Sequence, residues 1–195
     1  MKPKRDANPR SLRGREILVG VTGGIAAYKT ADLVSRLVQA GAGATVVMTE
    51  HATRFVGPLT FQTLTGRPVY TDLFPPPETY QPGHVALADL AHLAVVAPAT
   101  ADCLGKLAHG IADDLLSTVL LAIDVPLLLA PAMNERMWNH PAVRANVKAL
   151  RSRGVRFVGP KEGRLACGTI GQGRMGEPEE ILAALIEIMG GRAKA

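Results

Sequence analysis

The sequence is poor in sulfur, in aromatic rings and in long apolar runs. Its two cysteines, Cys103 and Cys167, lie far apart and form no CxxC pair. That argues against a thiolate zinc centre and leaves at most one disulfide, with reduced thiols in a cytoplasmic protein as the expectation. The five histidines are scattered without an HxxxH pair, so no metal site is expected. Aromatic residues make up only 4% of the chain, so the core must be built from aliphatic side chains. No apolar run reaches the ~18 residues of a membrane span. Both the GxGxxG dinucleotide fingerprint and the GK[ST] Walker loop are missing. Excess charge is missing too, outside one short stretch. "MKPKRDANPRSLRGR" holds six Lys or Arg against one Asp and alone accounts for the net charge of +5. Residues 1–15 read as a disordered, solvated basic tail, without the apolar segment of a secretory signal. The nearly neutral remainder gives no reason to expect a nucleic-acid partner.

What is present is a 47% hydrophobic chain dominated by Ala, Val, Leu and Gly. "EILVGVT" (16–22) is a continuous apolar run of the kind that forms a buried parallel strand. "GGIAAYKTADLVSRLVQAG" then carries a helical stripe that Gly41 stops, and "ATVVMT" (44–49) is the next strand. "FPPPETYQPG" (74–83) reads as a loop and "HVALADLA" (84–91) as a helical turn. "AHLAVVAPAT" (91–100) is a strand entering a turn. Residues 101–123 hold one or two helices with a break near Gly110, and "VPLLLAPA" is a further strand. A helix starts near Pro141, "VRFVGP" is a short last strand, and "EPEEILAALIEIMG" is a C-terminal helix with acids in its first turn. The alternation predicts one α/β domain over 16–190: a three-layer α/β/α, doubly wound, mostly parallel sheet of the flavodoxin/Rossmann-like kind. Ligands of such sheets sit beyond the carboxyl ends of the strands. "TGGIA", "MTEHAT", "APATAD" and "APAMNERMW" lie at those ends and should converge on one crevice.

Each of these segments carries a chemical possibility beside a plainer one. The glycines of "VTGGIAAYK" let backbone approach a ligand, and the helix start offers N–H groups to an anion; a mononucleotide such as FMN suits this better than NAD or ATP. The plainer reading is a tight strand-to-helix turn. "APATADC" (97–103) has small side chains against which a flat ring can lie, or is a proline turn with Thr100 as helix cap. Asn134 of "APAMNERMW" offers an amide to a carboxylate or a ring edge, while Met133, Met137 and Trp138 are core or pocket wall. His84 gains interest only beside the crevice, where imidazole exchanges protons near neutral pH; His51, His92, His109 and His140 have weaker claims. In "LACGTIGQGRMGEP" (165–178), Cys167 sits among four glycines with Arg174. This is either a mobile flap that closes over substrate or a surface loop with an incidental thiol.

Taken together and in this order, "GGIAAYK", "HVALADLA", "APATAD", "PAMNERMW" and "ACGTIGQGRM" resemble the homo-oligomeric flavin-containing cysteine decarboxylases. The resemblance covers about residues 16 to 190, and within the family it leads to the branch acting on 4'-phosphopantothenoylcysteine in coenzyme A biosynthesis. It implies FMN as cofactor. It implies His84 as acid/base, Asn134 as holder of the substrate carboxylate, and Cys167 as proton donor in the final reduction. Gly23, Gly24 and Ile25 would hold the phosphate side of FMN. Thr49, Glu50, His51, Thr100, Ala101, Asp102, Cys103 and Ala132 would line the flavin. Asn134, Met133, Arg174 and Met175 would meet the substrate, with Lys161, Arg164 and Arg174 as candidates for its phosphate. Relatives often carry Ser where this chain has His51. The implied chemistry removes a hydride from the carbon bearing sulfur, so that the thiol becomes a thioaldehyde and the neighbouring carboxylate leaves as CO2. The hydride and a proton are then returned. The family's flavin site lies at a subunit boundary, usually in trimers or dodecamers. A peptidyl-cysteine decarboxylase of the lantibiotic type, a flavin prenyltransferase and a flavin-binding regulatory subunit are the alternatives. "ACGTIGQGRM" argues against the first and "PAMN" against the second. The chain stops after the last helix, so a fused ligase is not expected within it.

Overall fold

A computed structural model describes residues 12–74, 83–164, 166, 168 and 170–192. The elements are β1 (Glu16–Val21), α1 (Ala27–Gln39), β2 (Gly43–Met48), α2 (Glu50–Thr53), α3 (Pro58–Thr65), β3 (Val69–Tyr70), α4 (His84–Leu90), β4 (Leu93–Ala99) and α5 (Ala101–His109). They continue with α6 (Leu115–Ala122), β5 (Leu127–Pro131), α7 (Glu135–Trp138), α8 (Pro141–Ser152), β6 (Arg156–Phe157), β7 (Lys161–Arg164), β8 (Ile170–Arg174) and α9 (Pro178–Arg192). The main sheet has the order β3-β2-β1-β4-β5-β6, and every neighbouring pair is parallel. The chain therefore starts in the middle, winds to one edge, returns, and winds to the other. The predicted doubly wound architecture is the one observed.

Aliphatic alternation makes the three layers. Ile17, Val19 and Val21 of β1 point to one face, with Leu33 and Leu37 of α1, Phe61 of α3, and Ile181 and Leu185 of α9. Leu18 points to the other face, with Leu87 of α4, Leu104 of α5, Leu116 of α6 and Val147 of α8. In β4, Leu93, Val95 and Ala97 follow the first group, and Ala94, Val96 and Ala99 the second. This period of two on a fully buried strand puts apolar surface on both faces, which helices must cover.

Local signals set the helix ends. The Thr100 hydroxyl accepts the Cys103 N–H (3.4 Å) to start α5, and Gly110 ends it with φ of 70°. Asp114 and Ser117 then form a reciprocal capping box for α6, so the expected break near Gly110 separates two helices. "HVALADLA" is a full helix rather than a single turn.

Two expectations need correction. The basic tail is shorter than residues 1–15. Leu12 is fully buried in the core, and the Gly14 N–H donates to Gly41 O (3.0 Å). An apolar side chain so placed anchors residues 12–15 to the domain, while residues 1–11 lie outside the described residues. The glycine-rich stretch is not simply a loop, because β8 pairs antiparallel with β7 as a hairpin apart from the main sheet. Among the described residues no helix is long and apolar enough to cross a membrane.

The amino edge of the sheet is tied by Arg67. Its guanidinium grips both carboxylate oxygens of Glu16 (2.5 and 3.1 Å) and reaches Thr45 of β2 (3.4 Å), so it links β1 to the turn before β3. The hydrogen bond from Arg67 holds the Glu16 carboxyl below its ordinary range, against an opposing effect of partial burial. A carboxylate depressed in the folded state contributes stability above its unfolded pKa and loses it as pH falls through the folded value. Because the pair is partly exposed and screened, Glu16→Gln is expected to cost about 1 kcal/mol at pH 7. The gap to the parent protein should close as pH drops below the carboxylate range, near ~4. Urea unfolding at pH 7 and in acid measures both; equal stability at pH 7 removes the role.

Candidate active site

A cavity of about 740 Å³ opens beyond the carboxyl ends of β1, β4 and β5. That is the size of a site for a cofactor or small molecule, at the place where a doubly wound sheet forms one. The β1–α1 turn contributes Gly23, Gly24 and Ile25, and the β4–α5 turn contributes Thr100 and Ala101. The β5–α7 turn gives Ala132, Met133 and Asn134, and the hairpin gives Arg164, Gly173, Arg174 and Met175.

Hydrogen bonds join these segments in sequence. The Thr22 hydroxyl donates to Pro98 O (2.7 Å) and accepts the Thr100 N–H (3.2 Å), joining the ends of β1 and β4. The Ala132 N–H donates to Ala99 O (3.1 Å), joining β4 to β5. The Met133 N–H donates to Gly173 O (3.0 Å), joining β5 to the hairpin. Glu135 extends this last link by accepting the Gln172 N–H (3.3 Å).

Two glycines are required by close approach. A Cβ on Gly23 would overlap the His51 Cβ, and one on Gly173 would overlap the Met133 carbonyl oxygen. The first keeps the β1–α1 turn flush against α2. The second lets the hairpin lie on the "PAMN" segment. Asn134 heads α7, and its Oδ1 accepts the Arg136 N–H (2.8 Å), which fixes how the carboxamide is turned. No side chain caps the start of α1, where Ala26 is the N-cap.

The cavity thus brings together Gly23, Gly24, Ile25, Thr100, Ala101, Ala132, Met133, Asn134, Arg164, Arg174 and Met175 of the predicted residues. Met137 is also on its wall, while Trp138 is core. Among the described residues, the remaining predicted ones are not on the wall of this cavity. Thr49, Asp102 and Cys103 border a separate void of about 10 Å³, room for about one water at most. Thr49 caps α2, and burial pushes the Cys103 thiol up to about 12, so it stays protonated. Glu50 is exposed and pairs with Arg54 (3.1 Å). His51 packs behind Gly23. His84 heads α4, which packs through Leu87 and Ala88 on the opposite face of the sheet. The reason is topological: α2 and α5 carry the chain past the crevice, and α4 precedes β4 and packs on the sheet face opposite α1. Lys161 pairs with Glu180 instead of facing the cavity. Cys167 lies outside the described residues.

Sequence reasoning missed Lys29, which is on the cavity wall and pairs with Glu177 (2.9 Å). Its place was the available signal, since Lys29 stands in the first turn of α1, directly after the glycine turn that marks the crevice.

Fold and site define a doubly wound α/β domain with a cofactor-sized cavity at the switch point of its sheet. The chain belongs to the Flavoprotein family, whose model matches residues 5–190. It is 53% identical over 171 residues to the coenzyme A biosynthesis bifunctional protein CoaBC of Bacillus subtilis, covering 88% of this chain and 42% of that one. Against the same protein of Escherichia coli K12 it is 46% identical, with the same coverage. The chain spans less than half the length of these curated relatives. Among solved structures, the FMN-dependent cysteine decarboxylase SpaF superposes with a TM-score of 0.78 at 35% identity, over 92% of this chain and 99% of that one. A cysteine-to-serine mutant of PPC decarboxylase complexed with pantothenoylaminoethenethiol gives 0.78 at 30% identity, over 89% and 97%. The family resemblance read from the motifs is borne out.

If Gly173 is where the hairpin docks, Gly173→Ala should force it off the Met133 carbonyl. The expected cost is about 2 kcal/mol, a fall of roughly 4–8 °C in melting temperature. Limited proteolysis should find new cleavage between 161 and 174. An unchanged melting curve and digest would show that the close approach is not needed.

Proposed function

We propose that this chain decarboxylates 4'-phosphopantothenoylcysteine to 4'-phosphopantetheine with FMN as cofactor, as a step of coenzyme A biosynthesis in the cytoplasm. The single observation that carries the reading is the convergence of three strand-to-helix turns and a hairpin on one cavity that presents Asn134 and cationic side chains together. The wall suits FMN: backbone without Cβ at Gly23 and Gly24, an uncapped helix start for a phosphate, and small Thr100, Ala101 and Ala132 against a flat ring. Bound there, FMN would supply a hydride acceptor and donor, so no external oxidant is needed.

The chain's own residues do the rest. The Asn134 carboxamide, turned by its bond to the Arg136 N–H, orients the departing carboxylate. Met133, Met137 and Met175 exclude water from the reacting carbon. Cys167 delivers the final proton to the carbon chain, and His84 exchanges the proton of the substrate thiol.

His84 needs a second copy to play this part. The amino edge of the sheet holds the far end of α4, since the His92 N–H donates to Glu16 O (2.8 Å). His84 is therefore on the carboxyl side, but on the sheet face opposite α1. Self-association as a trimer or a dodecamer would bring the His84 of one copy to the cavity of another. Exposed Ile25, Tyr28, Val85 and Leu90 are consistent with that burial.

The likeness to the FMN-dependent cysteine decarboxylase SpaF keeps one other reading in play, the peptidyl-cysteine decarboxylase of the lantibiotic type. Three cations on the cavity wall suit a phosphorylated substrate better.

Purified protein is expected to be yellow with FMN and to release CO2 from 4'-phosphopantothenoylcysteine but not from a cysteine-ended peptide. His84→Asn should keep its flavin and lose at least about 100-fold in turnover. Cys167→Ser should still release CO2 but stop at the enethiol. A colourless protein that refuses FMN, or normal 4'-phosphopantetheine output from both variants, would end the proposal.

A further inference from the structure

The described wall of the cavity carries three cations, Lys29, Arg164 and Arg174, and no acid. One carboxylate stands behind two of them. Glu177 accepts from Lys29 Nζ through both oxygens (3.1 and 2.9 Å), and Arg174 Nη2 reaches its Oε1 (2.8 Å). Glu177 is itself fixed, because its N–H donates to Glu180 Oε2 (3.0 Å) at the start of α9. The hydrogen bond from Lys29 holds its carboxyl below the ordinary range, so it is ionised at neutral pH. Neighbouring acids do not cancel the remaining charge. Glu135 turns onto the hairpin backbone, and Glu180 is taken by Lys161.

Counting Glu177, the wall keeps a surplus of about two positive charges. A carboxylate would use one of them, whereas a phosphate monoester carries about −1.5 to −2 at pH 7. The geometry agrees. The Lys29 side chain is only 15% exposed and comes from α1, while Arg174 comes from the hairpin, so the two reach the cavity from different elements. An ammonium and a guanidinium so placed present donors from two directions to a tetrahedral oxyanion.

We propose that Lys29 and Arg174, positioned by Glu177, form a subsite for a phosphate monoester. This rests on the decarboxylase reading and deepens it by assigning phosphate recognition to Lys29 and the hairpin. Two sources share this chemistry, the substrate's 4'-phosphate and the phosphate of a flavin mononucleotide. The substrate is the source the position favours, since the uncapped start of α1 beside Gly23 and Gly24 already offers a separate place for the flavin's phosphate.

The test compares Lys29→Gln, Lys29→Arg and Arg174→Gln holoenzymes with the parent protein in two arms. One arm measures kcat/KM for 4'-phosphopantothenoylcysteine against pantothenoylcysteine. The other measures the flavin retained through gel filtration and its identity as FMN or riboflavin. For the substrate source, Lys29→Gln and Arg174→Gln should each lose about 10- to 100-fold in kcat/KM on the phosphorylated compound, mainly through KM. They should change little on the unphosphorylated one, with FMN content intact, and Lys29→Arg should recover much of the loss. Loss of FMN with the substrate preference kept would place the flavin's phosphate there. Unchanged preference together with unchanged FMN content overturns the subsite, as does an equal loss on both substrates with flavin intact. If the parent protein turns over neither compound, the decarboxylase reading falls, and the flavin arm still decides the subsite.

Discussion

The Thr22 hydroxyl sits where the doubly wound sheet is under most topological constraint. β1 and β4 are neighbours whose following turns leave in opposite directions, so the crevice between them has no continuous backbone to hold it. The Thr22 side chain spans the gap, donating to Pro98 O and accepting from the Thr100 N–H. Thr22 is 2% exposed, so these bonds are formed away from water, where an unmet partner is costly. The further links, Ala132 to Ala99 and Met133 to Gly173, pass the same register from strand to strand out to the hairpin. A shift at the first link would displace every wall of the cavity together.

This arrangement separates two kinds of surface. The ends of β1, β4 and β5 deliver backbone and small side chains, which are hard to move and suit a flat, rigid ligand part. The start of α1, the hairpin and the turn before α9 deliver Lys29, Arg174 and Glu177, long side chains whose mutual bonds hold them. The carboxylate does not enter the cavity. It keeps an ammonium and a guanidinium near each other at a separation they would otherwise avoid, and it leaves the wall positively charged.

Cys103 and His84 show the limit set by one protomer. Cys103 follows the "APAT" turn by three residues, close enough in sequence to be taken for part of the site. The first turn of α5 carries it into the opposite core, where burial keeps the thiol neutral. His84 lies on that same side of the sheet, so its proposed part in the chemistry depends on association with another copy.

How much of this was legible follows from what each signal reports. Periodicity and apolar runs fixed the order of strands and helices, because a strand buried on both faces has to be aliphatic and a covering helix has to be amphipathic. Glycine and small-residue turns marked the crevice for a similar local reason, since only such residues let backbone reach a ligand. The facing of residues just beyond those turns was decided elsewhere. Thr49, Asp102 and Cys103 are close in sequence to the cavity, yet the helix they cap or enter rotates them to another face. Lys29 and Glu177 are 148 residues apart and have no shared pattern in the chain; the packing of α1 beside α9 makes them a pair. Sequence by itself therefore determined the layers and the edge at which the site lies, because these depend on local polarity and repeat. Only the tertiary structure decided which charges meet, because that depends on the relative placement of elements brought together by the shared core.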